Sequence, residues 1–141
     1  MSFDEKNTWA FGIIAIAGYI SYVVILLTDA ATPVTETPYV VPMLSTIGGA
    51  IAAGIVSGIV LGIFSGAERQ KRDQRDRQIY RRGEYLGHAF VLAGAIGALL
   101  LALLDVDTFW IANVLYLAFV IAAVVSSVAK IVAYRTGFAQ W

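Results

Sequence analysis

The residues best able to do chemistry lie in one charged segment of an otherwise apolar chain, "RDQRDRQIYRRGEYLGH" at positions 72–88. Along it, acidic, phenolic and imidazole side chains recur every three or four residues, which places them on one face of a helix. These residues are Asp73, Asp76, Tyr80, Glu84 and His88. Glu84 and His88, four residues apart, have the spacing at which two side chains on one helix can share a metal ion. Because His88 is the only histidine, a divalent-metal site there is rich in carboxylates, from Asp73 and Asp76, or takes ligands from a second subunit.

The same segment has interpretations that need no metal. Alternating charges at helical spacing are typical of a solvated helix with ion pairs such as Arg81 with Glu84. From Glu68 to Glu84 there are seven bases and four acids, a net charge of +3, which favours the headgroups of an anionic leaflet. The arginines expected at the headgroups are Arg69, Arg72, Arg81 and Arg82. The third interpretation is a docking surface for a membrane or cytoplasmic protein. Gly83 disfavours helix by about 1 kcal/mol relative to alanine, and a break there would weaken the metal hypothesis.

A second group of polar side chains lies within apolar stretches and forms two stripes at helical spacing. Its candidate site residues are Tyr19, Tyr22, Asn113, Tyr116 and Ser127. If the two stripes face each other, they form a thin polar seam, explained either by hydrogen bonds between helices or by a small amphipathic ligand or permeant species. Lys130, close to the end of the last apolar stretch, is expected to extend to the membrane surface.

The elements that position these residues are membrane-spanning helices. The chain has 141 residues, is 59% hydrophobic and has a mean hydropathy of +0.75. Its four apolar stretches are residues 9–28, 39–65, 85–104 and 109–133. Each reaches the roughly 20 residues that a helix needs to cross a bilayer. We therefore predict an all-α membrane protein, a single domain over residues 1–141 with four transmembrane helices in an up-down bundle and a charged linker at 66–84.

The basic residues predict how the chain is oriented. All ten Lys and Arg residues fall before the first stretch, between the second and third, or at the end of the fourth. The other two loops, "DAATPVTETP" and "DVD", contain acids and no base. The positive-inside rule then places both termini and the linker in the cytoplasm. Helix three is expected to begin early, near Arg72, and to extend into the cytoplasm.

Glycines predict how the helices pack. Those of the second stretch recur every fourth residue, at Gly54, Gly58, Gly62 and Gly66. This spacing makes a groove without side chains, and such grooves allow close helix contact in lipid. The third stretch repeats the pattern less regularly. The grooves serve either packing within the chain or a homodimer, and a narrow pore is the rarer alternative.

The sequence argues against an enzyme. It has no cysteine and one histidine, and its glycines have helical spacing rather than the spacing of a phosphate-binding loop. Nucleic acid is not an expected partner, and no cofactor is evident besides the possible divalent metal.

The linker pattern "RDxRDxxIxRRGE", the terminal "KIVAYRTGF" and the four-span arrangement together resemble the small bacterial inner-membrane proteins of unknown function. The resemblance implies a bacterial inner membrane and no activity. Three hypotheses follow: a non-enzymatic, homodimeric bundle with a cytoplasmic binding or regulatory surface, a small dimeric channel or transporter, and a metal sensor that uses the linker.

Overall fold

The computed structural model describes residues 2–66 and 74–136, and the chain in these two ranges is almost entirely helical, without a strand. The four long helices are α1 Phe3–Thr28, α2 Val40–Phe64, α3 Gln74–Leu103 and α4 Thr108–Thr136, and a 3-10 turn, Val34–Glu36, lies between α1 and α2. All four are long and apolar enough to cross a membrane. This confirms the predicted helical class. The predictions for Arg69, Arg72 and Asp73 lie outside the described residues.

Short-range interactions set the helix ends. The Ser2 hydroxyl accepts a hydrogen bond from the Glu5 amide at 3.2 Å and caps the start of α1, satisfying one of the amides that a helix N-terminus leaves unpaired. The Asp107 carboxylate does the same for α4, accepting from the Phe109 amide at 3.0 Å. Between α3 and α4 the chain reverses through Asp105, whose φ of 51° is left-handed. A reversal this short makes α3 and α4 neighbours.

The four helices pack as an open row rather than as a closed bundle. The extensive contacts join α2 to α1, α1 to α4, and α4 to α3. α2 and α3 therefore lie on opposite sides of a central α1–α4 pair. α4 has more buried residues than the other helices: Phe109, Tyr116, Ala118, Ala122, Ser126, Ser127 and Lys130. In α2 only Gly54 is buried.

The closest helix contact is made by the glycines of α3 against α4. A Cβ atom added at Gly87 would lie 2.9 Å from the carbonyl oxygen of Ala122, and one at Gly94 would overlap the Cβ of Ala118. Residue numbers rise along α3 as they fall along α4, so this pair is antiparallel. Glycine is needed here because the two backbones approach too closely for a side chain.

The glycines of α2 serve a different contact. Gly54 receives the ring of Phe11 from α1, with an added Cβ only 2.9 Å from the ring. At Gly58 the nearest atom to an added Cβ is 4.0 Å away, and Gly66, just beyond the helix end, faces open space. Gly62 is half-buried. In the predicted α2 groove, Gly54 therefore makes room for the Phe11 ring and does not bring two helix backbones into close contact.

We predict that Gly94→Ala lowers the free energy of unfolding by about 1–3 kcal/mol, because its Cβ overpacks the contact with Ala118. Adding Ala118→Gly should restore most of the loss. The matched control is Gly48→Ala in α2, where an added Cβ meets nothing within 4 Å. Equilibrium unfolding in detergent measures all four chains. Equal effects of the Gly94 and Gly48 variants would contradict the close α3–α4 contact.

Candidate functional site

An ion pair between α3 and α4 is the most strongly constrained polar feature of the structure. The Lys130 ammonium donates to Oε1 of Glu84 at 2.5 Å, and the Ser126 hydroxyl donates to the same oxygen at 3.1 Å. The Lys130 side chain is 9% exposed and that of Glu84 is 53% exposed. The buried partner is therefore the ammonium, which an apolar environment disfavours unless it is paired.

Gly83 and Tyr80 line the space between α3 and α4 that the Lys130 side chain occupies. The aliphatic chain of Lys130 crosses α3 at Gly83, where an added Cβ would be 2.5 Å from Cγ. The ammonium also lies 4.1 Å from the centre of the Tyr80 ring, a favourable cation–π distance. Glu84 and Tyr80 thus hold the Lys130 ammonium between the two helices, and its extension to the membrane surface stays a prediction.

Gly83 therefore does not interrupt α3. The helix runs without a break from Gln74 to Leu103, and Gly83 is buried within it. The intrinsic cost of glycine in a helix is about 1 kcal/mol. The contacts that Lys130 makes across this position offset that cost, so α3 extends about three turns before the apolar stretch that begins at residue 85.

Three of the four predicted metal ligands, Asp76, Glu84 and His88, lie in the described part of the chain and have separate surroundings. Glu84 is bound to Lys130, and Asp76 lies beside the hydroxyl of Tyr134 on α4. His88 is exposed, and Asp73 lies outside the described residues. Within residues 2–66 and 74–136 no group of three potential ligands is close enough to hold a metal ion. The divalent-metal hypothesis stays a prediction, and a metal would have to displace the Lys130 ammonium to use Glu84.

The described arginines of α3 lie on its surface. Four of them are exposed: Arg75, Arg77, Arg81 and Arg82. The buried residues of the same segment, Ile79, Gly83 and Gly87, face α4. Of the residues predicted to meet lipid headgroups, Arg81 and Arg82 are thus on the surface, and the other two are outside the described residues.

Two groups of hydrogen bonds make up the polar seam between α1 and α4. The hydroxyl of Tyr22, a residue with 0% exposure, donates to Oδ1 of Asn113 at 2.6 Å. The amide of Asn113 donates to the Phe109 carbonyl at 2.8 Å. The hydroxyls of Tyr116 and Thr46 lie 3.2 Å apart. Sequence reasoning missed Thr46, which belongs to α2 and ties a third helix to the seam.

The other two predicted seam residues have separate surroundings. Tyr19 packs its ring edge-on against Tyr116, with centroids 5.3 Å apart. Ser127 lies further along α4 and packs against Gly12 of α1, where an added Cβ would be 3.1 Å from the serine Cβ. Four of the five residues therefore meet, and their contacts are those of helix packing.

Comparison with known proteins gives no match to a family model, to a curated protein or to a solved structure. The function must therefore be argued from the geometry of these sites.

We predict that Glu84→Gln lowers the free energy of unfolding by about 1–2 kcal/mol, because it leaves the Lys130 ammonium buried without its counter-charge. The loss is smaller than for a fully buried pair because Glu84 is half exposed. Unfolding of the double variant Glu84→Gln/Lys130→Met should show a smaller loss than the sum of the two single variants. Arg75→Gln, at an exposed position, is the control and should change stability little. Additive losses would show that the two residues are not coupled.

Proposed function

We propose that this chain is a small, non-enzymatic, multi-pass protein of the bacterial inner membrane that acts as a homodimer through a cytoplasmic binding surface on α3. The observation that carries this proposal is the continuity of α3 through Gly83. Residues 74–84 extend about 16 Å beyond the apolar stretch as one helix, and Lys130 fixes this extension to α4 through Glu84. A rigid extension can present side chains to a partner without an ordering cost on binding.

The proposed topology is up-down, with both termini and the extension in the cytoplasm. The distribution of Lys and Arg along the sequence supports this orientation. The antiparallel contacts of α3 with α4 are compatible with it. In this arrangement the Lys130–Glu84 pair lies at the cytoplasmic surface of the membrane, where water and headgroups can reach the exposed side of Glu84.

The proposed homodimer is supported by how little of α2 is covered. Gly54 is its only buried residue, and Gly48 and Gly49 face open space. Small residues on an uncovered membrane helix allow close approach of another helix. A second copy meeting α2 would leave the surface of α3 available for its own partner.

The contacts of the two candidate conduction paths argue for a binding protein over a channel or transporter. The seam groups of Tyr22 and Asn113 are hydrogen-bonded within the chain, and Phe11 fills the groove at Gly54. Transport along either path would require these contacts to break. Metal sensing through the linker has less support because Glu84 is already paired with Lys130.

Solute flux in proteoliposomes tests this proposal. We expect vesicles containing the purified chain to release potassium ions, protons, phosphate and a neutral sugar no faster than protein-free vesicles. Gly58→Leu and Asn113→Leu, which alter the two candidate paths, should leave these rates unchanged. Selective flux that Gly58→Leu or Asn113→Leu abolishes would contradict the proposal and support the transporter.

A further inference from the structure

The described acids of α3 have partners on α4. The described part of the helix contains two acids, Asp76 and Glu84. Asp76 lies beside the Tyr134 hydroxyl, on the side of α3 that faces α4, and Glu84 is paired with Lys130. The Lys130 ammonium therefore offsets the charge of Glu84, the acid nearer to the arginines.

The surface that faces away from α4 is basic and aromatic. We call it the outward face, and its residues are Arg77, Arg81, Tyr85 and His88, all exposed. At 100° per residue their directions fall within about 80° of one another. They lie opposite the buried positions Ile79, Gly83 and Gly87. The outward face thus has two guanidinium groups, a phenol and an imidazole. The half-exposed Glu84 lies at its edge, about 20° from Arg77, with its carboxylate paired to the Lys130 ammonium.

The position of His88 indicates that the outward face meets polar groups as well as lipid hydrocarbon chains. It lies in the first turn of the apolar stretch 85–104, where ionisable residues usually face the interior of a membrane protein. Here it is exposed, and no described residue in 2–66 or 74–136 holds its imidazole by a hydrogen bond or an ion pair. Among the described residues its imidazole is thus open to a polar partner at the level of the membrane surface. Tyr85, 78% exposed beside it, is a residue type enriched at that level.

Two occupants could supply such a partner, and charge decides between them. A second copy of the chain, joined through the same face by a two-fold axis, would bring arginines against arginines, which is unfavourable. An anionic phospholipid supplies the opposite charge at the right depth. The rise from Arg81 to His88 is about 10 Å, slightly more than the thickness of one headgroup layer, about 5–8 Å. Guanidinium groups bind phosphate through paired hydrogen bonds.

We propose that the outward face of α3 binds the phosphate headgroup of an anionic phospholipid. Arg81 binds the phosphate, Arg77 adds a second positive charge one turn further out, and Tyr85 and His88 donate to the phosphate or glycerol oxygens. This inference rests on the proposed function, because it names the partner of the same α3 surface. It also gives the Lys130–Glu84 pair a role, since the ammonium offsets the carboxylate charge that lies nearest to the bound anion.

Native mass spectrometry of the purified full chain tests the proposal, with equal amounts of phosphatidylglycerol and phosphatidylcholine added to the detergent solution. We expect the unsubstituted chain to retain phosphatidylglycerol over phosphatidylcholine by about tenfold. Arg77→Gln/Arg81→Gln should reduce that preference, by up to about fivefold for each base removed. The matched control is Lys6→Gln/Arg75→Gln, which removes two exposed bases away from the outward face and should keep the preference. Helical circular dichroism confirms that all three chains are folded.

Three results would overturn the proposal. The first is equal retention of the two lipids by the unsubstituted chain. The second is an equal loss of preference in both double variants, which would show an effect of net charge alone. The third is a dimer that dissociates in Arg77→Gln/Arg81→Gln while lipid retention is unchanged, which would assign the face to contact between copies. None of these results involves solute flux, so failure here is distinguishable from failure of the proposed function.

Discussion

A buried ammonium group that must be neutralised controls the arrangement of α3 and α4. Lys130 is 8% exposed, and an unpaired charge in such a place is strongly unfavourable. It reaches Glu84 only because Gly83 has no side chain to block it. The pair therefore fixes the register of the two helices, and with it the side of α3 that faces outward.

Several properties of the molecule follow from that register. α3 continues through Gly83 as one helix, so its first three turns are a rigid extension and not a loose linker. The acid Glu84 is directed towards α4, and so is Asp76, which lies about two turns earlier in α3. The arginines of the same segment remain outside, where they can meet an anion. In a segment of mixed charge, the ammonium of Lys130 thus offsets Glu84 and leaves the exposed arginines in excess.

The helices could be predicted from the sequence because their signals are local. The stretch predicted at 39–65 is the helix Val40–Phe64, and the one at 109–133 lies within Thr108–Thr136. The partner of Lys130 could not be predicted, because Glu84 is 46 residues away in sequence and the pairing depends on how α3 meets α4. The regular glycines of α2 attracted more attention than those of α3, yet the closest backbone contact is at Gly87 and Gly94. The spacing of glycines in the sequence shows that one surface of a helix lacks side chains. It does not show which other helix packs against that surface.

The distance between α3 and α4 in lipid tests the central claim most directly. The chain has no cysteine, so spin labels at Gln78→Cys and Val128→Cys, in labelled chains diluted with an excess of unlabelled chain, report one distance by double electron–electron resonance in nanodiscs. The account predicts a single narrow distance distribution, which broadens when Lys130→Met removes the ammonium and frees the extension of α3. A broad distribution in the labelled chain with Lys130 intact, or an identical narrow one after Lys130→Met, would contradict it.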